Sequence, residues 1–86
     1  MTRLKLFVAD NCPKCPSAKK VFNEVIEELR LKEGEDYSIL NIDEGDNLIT
    51  ALQYQIASTP SIVVDNEVVS VGEVPSKRDL LERLSR

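Results

Sequence analysis

The sequence predicts an α/β domain of three layers, a sandwich with helices on both faces of a four-stranded mixed sheet. Three observations lead there. Short aliphatic and β-branched runs alternate with segments whose apolar residues recur every three or four positions. The last two such runs, Ser61 to Val64 and Val68 to Val71, flank Asp65-Asn66-Glu67, the pattern of a hairpin. The resulting order, β-α-β-α-β-β-α, combines a parallel pair joined by a crossover helix with an antiparallel ribbon. A chain of 86 residues suits one domain, 1–86, with one modest core.

Each element has its own signal. Leu4 to Val8 is a short apolar-leaning run ended by Asp10-Asn11, hence a strand. In the next segment Ala18, Phe22, Val25, Ile26 and Leu29 form a helical stripe, with Lys19, Lys20, Glu24, Glu27 and Glu28 opposite. Lys20 with Glu24 and Glu28 with Lys32 are i,i+4 pairs, each worth a few tenths of a kcal/mol. Gly34 marks the expected stop. Tyr37 to Ile42 reads as the second strand, with Tyr37, Ile39 and Asn41 on one face. The turn Asp43-Glu44-Gly45-Asp46 leads to a helix expected to bury Leu48, Leu52 and Tyr54. In the last helix Ser76 stands as cap with Asp79 three residues on, and Leu80, Leu81 and Leu84 form the buried stripe.

Composition narrows the function. Apolar residues make up 42% and charged residues 30%, the balance of a globular protein. A net charge of −4 offers no general attraction to nucleic acid or to anionic lipid. No apolar run approaches the roughly 20 residues of a membrane span, and the start lacks the form of an export signal. The expected place is the cytoplasm, where permanent disulfides are uncommon. The chain has no histidine, so mechanisms that need an imidazole are closed.

Against that background the stretch Asn11-Cys12-Pro13-Lys14-Cys15-Pro16, which holds both cysteines, asks for a chemical reason. It lies where the first strand has ended and the first helix begins. Unsatisfied N–H groups at a helix start favour thiolate over thiol, which lowers the pKa of Cys12 below that of a free cysteine. Pro13 suits the first helical position, where a missing N–H costs nothing. Pro16 removes an N–H that could bond back to the Cys12 carbonyl. Lys14 adds a positive charge between the sulfurs, and Asp10 opposes it. Cys12, the more exposed, is expected to attack first and Cys15 to resolve. Thiol–disulfide exchange is favoured over two alternatives. Closed zinc sites usually take four Cys or His ligands, and this chain supplies two. A merely structural bridge three residues long closes too small a loop to stabilise much.

A second signal lies downstream, in Ile56-Ala57-Ser58-Thr59-Pro60-Ser61. Together, the strand-"NCPKC"-helix unit, "YQIASTPS", the valine-rich hairpin and "VGEVPSKRDLLERL" resemble the thioredoxin superfamily over nearly the whole chain, in particular its small glutaredoxin-sized members. The resemblance implies a thiol–disulfide oxidoreductase without cofactor or metal, acting on protein disulfides. It implies a thioredoxin-reductase-like flavoprotein as electron donor, and a monomer. It also implies that Pro60 is a cis proline facing the cysteines. The Thr59 backbone would pair with an extended substrate segment, and Gly72 and Glu73 would border the docking face.

The likeness breaks at named positions. Thioredoxins carry a tryptophan before the first cysteine and a buried acid six residues before it; here these are Asn11 and Leu6. Glutaredoxins commonly place a lysine three residues before the first cysteine, where this chain has Ala9. Their Gly-Gly-x-Asp segment is replaced by Gly72-Glu73-Val74-Pro75, whose acid would repel glutathione. Glutathione-dependent activity is therefore the alternative among enzymes, expected to be weak. A metal carrier or partner-binding module is the non-enzymatic alternative.

Overall fold

The computed structural model describes residues 3–85. Its elements run β1 (Leu4–Val8), α1 (Cys15–Leu29), β2 (Tyr37–Asn41), α2 (Asn47–Gln53), β3 (Ser61–Val64), β4 (Glu67–Val71) and α3 (Lys77–Leu84). The four strands form one sheet in the order β2-β1-β3-β4. β1 and β2 are parallel, with Leu6 opposite Ile39, and β1 and β3 antiparallel, with Leu6 opposite Ile62. The expected mixed sheet and element order are both present.

Side-chain alternation along the two central strands builds the layers. Leu4, Leu6 and Val8 of β1, with Ile62 and Val64 of β3, join Ala18, Phe22 and Val25 of α1 and Leu80 of α3 in one core. The intervening Phe7 and Val63 face the other way and meet Ala51 and Ile56 beneath α2. Full burial of such side chains stabilises by about 1.5–3 kcal/mol each. Phe22 also meets Tyr37 edge-on, ring centroids 5.7 Å apart.

Several boundaries differ from expectation. α1 begins at Cys15, with Lys14 as its N-cap, so Pro16 and not Pro13 occupies the first turn. The loss of the Pro16 N–H leaves no gap at Cys12, because the Cys15 N–H donates to the Cys12 carbonyl at 3.2 Å. At its other end α1 stops at Leu29, not Gly34. Arg30 adopts the left-handed conformation (φ 55°), and the Leu31 N–H closes onto the Ile26 carbonyl at 3.0 Å. Lys32 therefore lies outside the helix, and Glu28 is paired with Lys77 of α3 at 3.5 Å. In α2 the expected stripe is reversed: Leu48 and Leu52 are 47% and 58% exposed, and Ala51 is the buried residue. Tyr54 caps this helix and packs its ring against Phe7.

The hairpin turns through Asp65 (φ 50°) and Asn66 (φ 67°), the positive-φ pair a tight two-residue connection requires. Its tip is tied back to β1. Arg3 Nε and Nη2 donate to the two Asp65 carboxylate oxygens at 2.8 and 2.9 Å, and the Asp65 N–H donates to the Arg3 carbonyl at 2.8 Å. The Ser76 side chain accepts from the Asp79 N–H at 3.4 Å at the start of α3, where Leu80 is buried.

Candidate active site

The end of β1, the start of α1, the segment before β3 and the turn after β4 converge on one side of the sheet. Cys12 and Cys15 are joined as a disulfide, with Cα atoms 5.3 Å apart. Their surroundings differ. Cys15 is only 3% exposed, and its sulfur belongs to the core shared by Leu6, Ala18 and Phe22, whereas Cys12 is half-buried and open to solvent. The asymmetry follows from the turn: Cys15 is the first residue of α1, on its buried stripe, and Cys12 sits three residues earlier.

A groove of about 320 Å³ opens beside Cys12, lined by Asn11, Cys12, Pro13, Lys14, Ser58, Thr59 and Gly72. The Thr59–Pro60 peptide bond is cis, and Pro60 is buried. Two hydrogen bonds hold the segment around it. The Ser61 hydroxyl, the one buried polar side chain among the described residues, donates to the Ser58 carbonyl, and the Gly72 N–H donates to the Pro60 carbonyl at 2.8 Å. Among the described residues none hydrogen-bonds to the Thr59 main chain.

Gly72 is required by two features together. Its φ is +72°, and a Cβ there would stand 3.4 Å from the Ser58 Cβ. Its carbonyl accepts from Lys14 Nζ at 3.5 Å, a long and exposed contact that links the cysteine turn to the far side of the groove. Glu73 does not line this groove. It borders a neighbouring hollow with Val69, Pro75 and Arg83. Ser58 and Asn11, absent from the expected site, do line it. A small residue just before an X-Pro pair was the only local sign of Ser58.

Two features of the electrostatics follow. Leu6 is fully buried, and no carboxylate is buried beside the sulfurs among the described residues. The first turn of α1 also has fewer donors than a helix start usually offers, because Pro16 has no N–H and the Cys15 N–H is used by the Cys12 carbonyl. No group of three or more Cys, Asp or Glu among the described residues could hold a metal ion. No helix among them is long and apolar enough to cross a membrane.

A cysteine pair three positions apart at a strand-to-helix turn, one residue open and one buried, sharing a groove with the residue that precedes a cis proline, on a mixed sheet, defines a thiol–disulfide oxidoreductase. Comparison with known proteins narrows the class. The family model described as "Thioredoxin domain" matches residues 2–85. A curated thioredoxin of Methanocaldococcus jannaschii is 32% identical over 84 residues, covering 98% of this chain and 93% of that one. A probable thioredoxin of Archaeoglobus fulgidus is 30% identical, covering 100% of this chain and 89% of that one. Among solved structures, thioredoxin 1 from Thermosipho africanus superimposes with a TM-score of 0.70 over 100% of this chain and 92% of that one; at 12% identity it attests the fold. The chain belongs to the thioredoxin family.

Proposed function

We propose that the protein reduces disulfide bonds in protein substrates through Cys12 and Cys15. The observation that carries this reading is the unequal exposure of a bonded pair at the edge of a groove. In the reduced protein the Cys12 thiolate attacks one sulfur of a substrate disulfide. The other substrate sulfur leaves as thiolate and takes a proton from solvent. Cys15 then loses its proton and attacks Cys12, which releases the second substrate thiolate and forms the Cys12–Cys15 bond. Two electrons have passed to the substrate, and a flavoprotein of the thioredoxin-reductase kind would return them to the pair.

Each supporting residue has a role in this scheme. The unengaged Thr59 main chain, held beside Pro60, offers hydrogen bonds to an extended substrate strand. Gly72 forms the opposite wall, and Lys14 places a cation at the mouth, where it favours the Cys12 thiolate. Pro13 makes the outer rim of the turn. With Leu6 in the core, the proton of Cys15 passes to solvent or to the departing substrate thiolate, not to a buried carboxylate. Glu73 lies outside the groove, next to Gly72, and its charge at the approach is unfavourable for an anionic tripeptide.

The test is insulin reduction driven by dithiothreitol. Cys12→Ser is expected to lower the rate to the uncatalysed background. Cys15→Ser is expected to accumulate a covalent complex between Cys12 and an insulin chain, visible by mass and dispersed by excess thiol. Retained turnover in Cys12→Ser, or no trapped complex in Cys15→Ser, overturns the assignment.

A further inference from the structure

Asp10 lies two residues before Cys12, and a carboxylate that near would oppose the thiolate. The structure shows where that charge goes. Asn41 Nδ2, at the end of β2, donates to Asp10 Oδ1 at 2.8 Å. The Asp43 N–H donates to Asn41 Oδ1 at 2.8 Å, and the Asp10 N–H donates to Asp43 Oδ2 at 2.8 Å. Three residues thus close a ring of three hydrogen bonds between the loop after β1 and the loop after β2. The ring fixes the orientation of the Asn41 amide, because only one setting gives a donor to the carboxylate and an acceptor to the N–H. Asn47 Nδ2, on α2, donates to the Asn41 carbonyl at 2.9 Å and steadies the same segment.

The sheet order makes the placement meaningful. β2 lies on one side of β1, and β3 with β4 on the other. The ring draws the Asp10 carboxylate to the β2 side. Cys12 opens into the groove on the β3 side, walled by Ser58, Thr59 and Gly72. The other charges near Cys12 are Lys14 on its own turn, Lys19 and Lys20 further along α1, the Asp43 carboxylate held in the same ring on the β2 side, and Glu73 beside Gly72; the segment before β3 brings none.

We infer that Asn41 is a positioning residue for the redox reaction: it holds the Asp10 carboxylate on the β2 side of β1 and so keeps a negative charge away from the Cys12 thiolate. The inference rests on Cys12 being the attacking sulfur. It assigns to an uncharged side chain on a different strand a share in setting the reactivity of that sulfur. A carboxylate released towards an exposed sulfur and screened almost as in bulk water disfavours the thiolate about threefold.

The test measures iodoacetamide alkylation of Cys12 in the reduced full-length protein across a pH series, which needs no disulfide substrate and so is independent of whether the protein reduces other proteins. Asn41→Ala is expected to slow alkylation about threefold on the acidic limb and to move the profile to higher pH. Asp10→Asn alone is expected to stay within about 1.5-fold of wild type, because the charge it removes is already held away, and in the Asn41→Ala background it is expected to restore the wild-type rate. A purely structural role for Asn41 would leave the double variant as slow as Asn41→Ala. That result, an unchanged Asn41→Ala rate, or a threefold gain from Asp10→Asn alone overturns the inference. Should Asn41→Ala fail to fold, Asn41→Leu keeps about the size of the side chain, adds no charge and loses the donor. It is read by the same restoration with Asp10→Asn.

Discussion

Replacing Leu6 with aspartate tests the apolar setting of the redox pair directly. Leu6 is fully buried at the centre of β1, between Ile39 and Ile62 in register, in the core that also holds Cys15. Loss of a buried leucine removes about 2–3 kcal/mol of burial. A neutral carboxyl group in its place, set among the apolar side chains of that core, costs about 1–3 kcal/mol more. The sum, about 3–6 kcal/mol, is set against a total of about 4–13 kcal/mol for a domain of this size.

The pH dependence has a definite sign. Burial disfavours the charged form, so the new carboxyl has a folded-state pKa above its unfolded value. Destabilisation is then smallest in acid, where both states are protonated, and grows as pH rises through the unfolded pKa, by about 1.4 kcal/mol for each unit of separation. Urea melts of Leu6→Asp and wild type, in mild acid and near neutrality, read both effects. Coincident midpoints near neutrality, or a gap that shrinks as pH rises, would refute the placement of Leu6 and with it the dry setting of Cys15.

Two further outcomes are expected. Gly72→Ala forces a side chain into a positive-φ position beside Ser58, so it should cost about 1 kcal/mol in urea melts and slow insulin reduction, because the groove wall shifts; unchanged stability would contradict the backbone conformation. The Arg3 guanidinium, by hydrogen bonding and then by charge, holds the Asp65 carboxyl below the usual carboxylate range, and its own pKa is raised by the same contact. Stability from a lowered carboxyl pKa is present above the unfolded value and lost as pH falls through the folded one. Asp65→Asn should therefore melt earlier than wild type near neutrality and converge with it in strong acid; a gap that persists in strong acid would point to lost turn geometry instead.

Local chemistry made much of this legible from sequence. The strands of β-branched residues, the hairpin turn and the Ser76 cap each depend on neighbours within four residues, and the structure keeps all three with two edges moved: Glu67 leaves the turn to open β4, and Ile42 falls outside β2. The start of α1 is ambiguous along the sequence because Pro13 and Pro16 both suit a first turn. The choice is made by the Cys15 N–H, which bonds to the Cys12 carbonyl and makes a turn of residues 12 to 15. The buried face of α2 is not legible in the same way, because Leu48, Ile49, Ala51 and Leu52 surround most of a seven-residue helix, and the small Ala51 is the one that fits against Phe7 and Val63. The Asp10–Asn41–Asp43 ring joins segments some thirty residues apart and has no signature along the chain. Ser58 enters the groove only because the following peptide bond is cis and the Gly72 turn closes over it.

The left-handed arginine that ends α1 has a practical side. Arg30 carries a Cβ in a conformation that glycine adopts without that steric penalty, a difference of about 1 kcal/mol. It stands at the far end of a helix 15 residues long, about 22 Å from the cysteine turn. Heat resistance and sulfur chemistry are thus adjustable from opposite poles of the molecule, and an engineer can raise the first without disturbing the second.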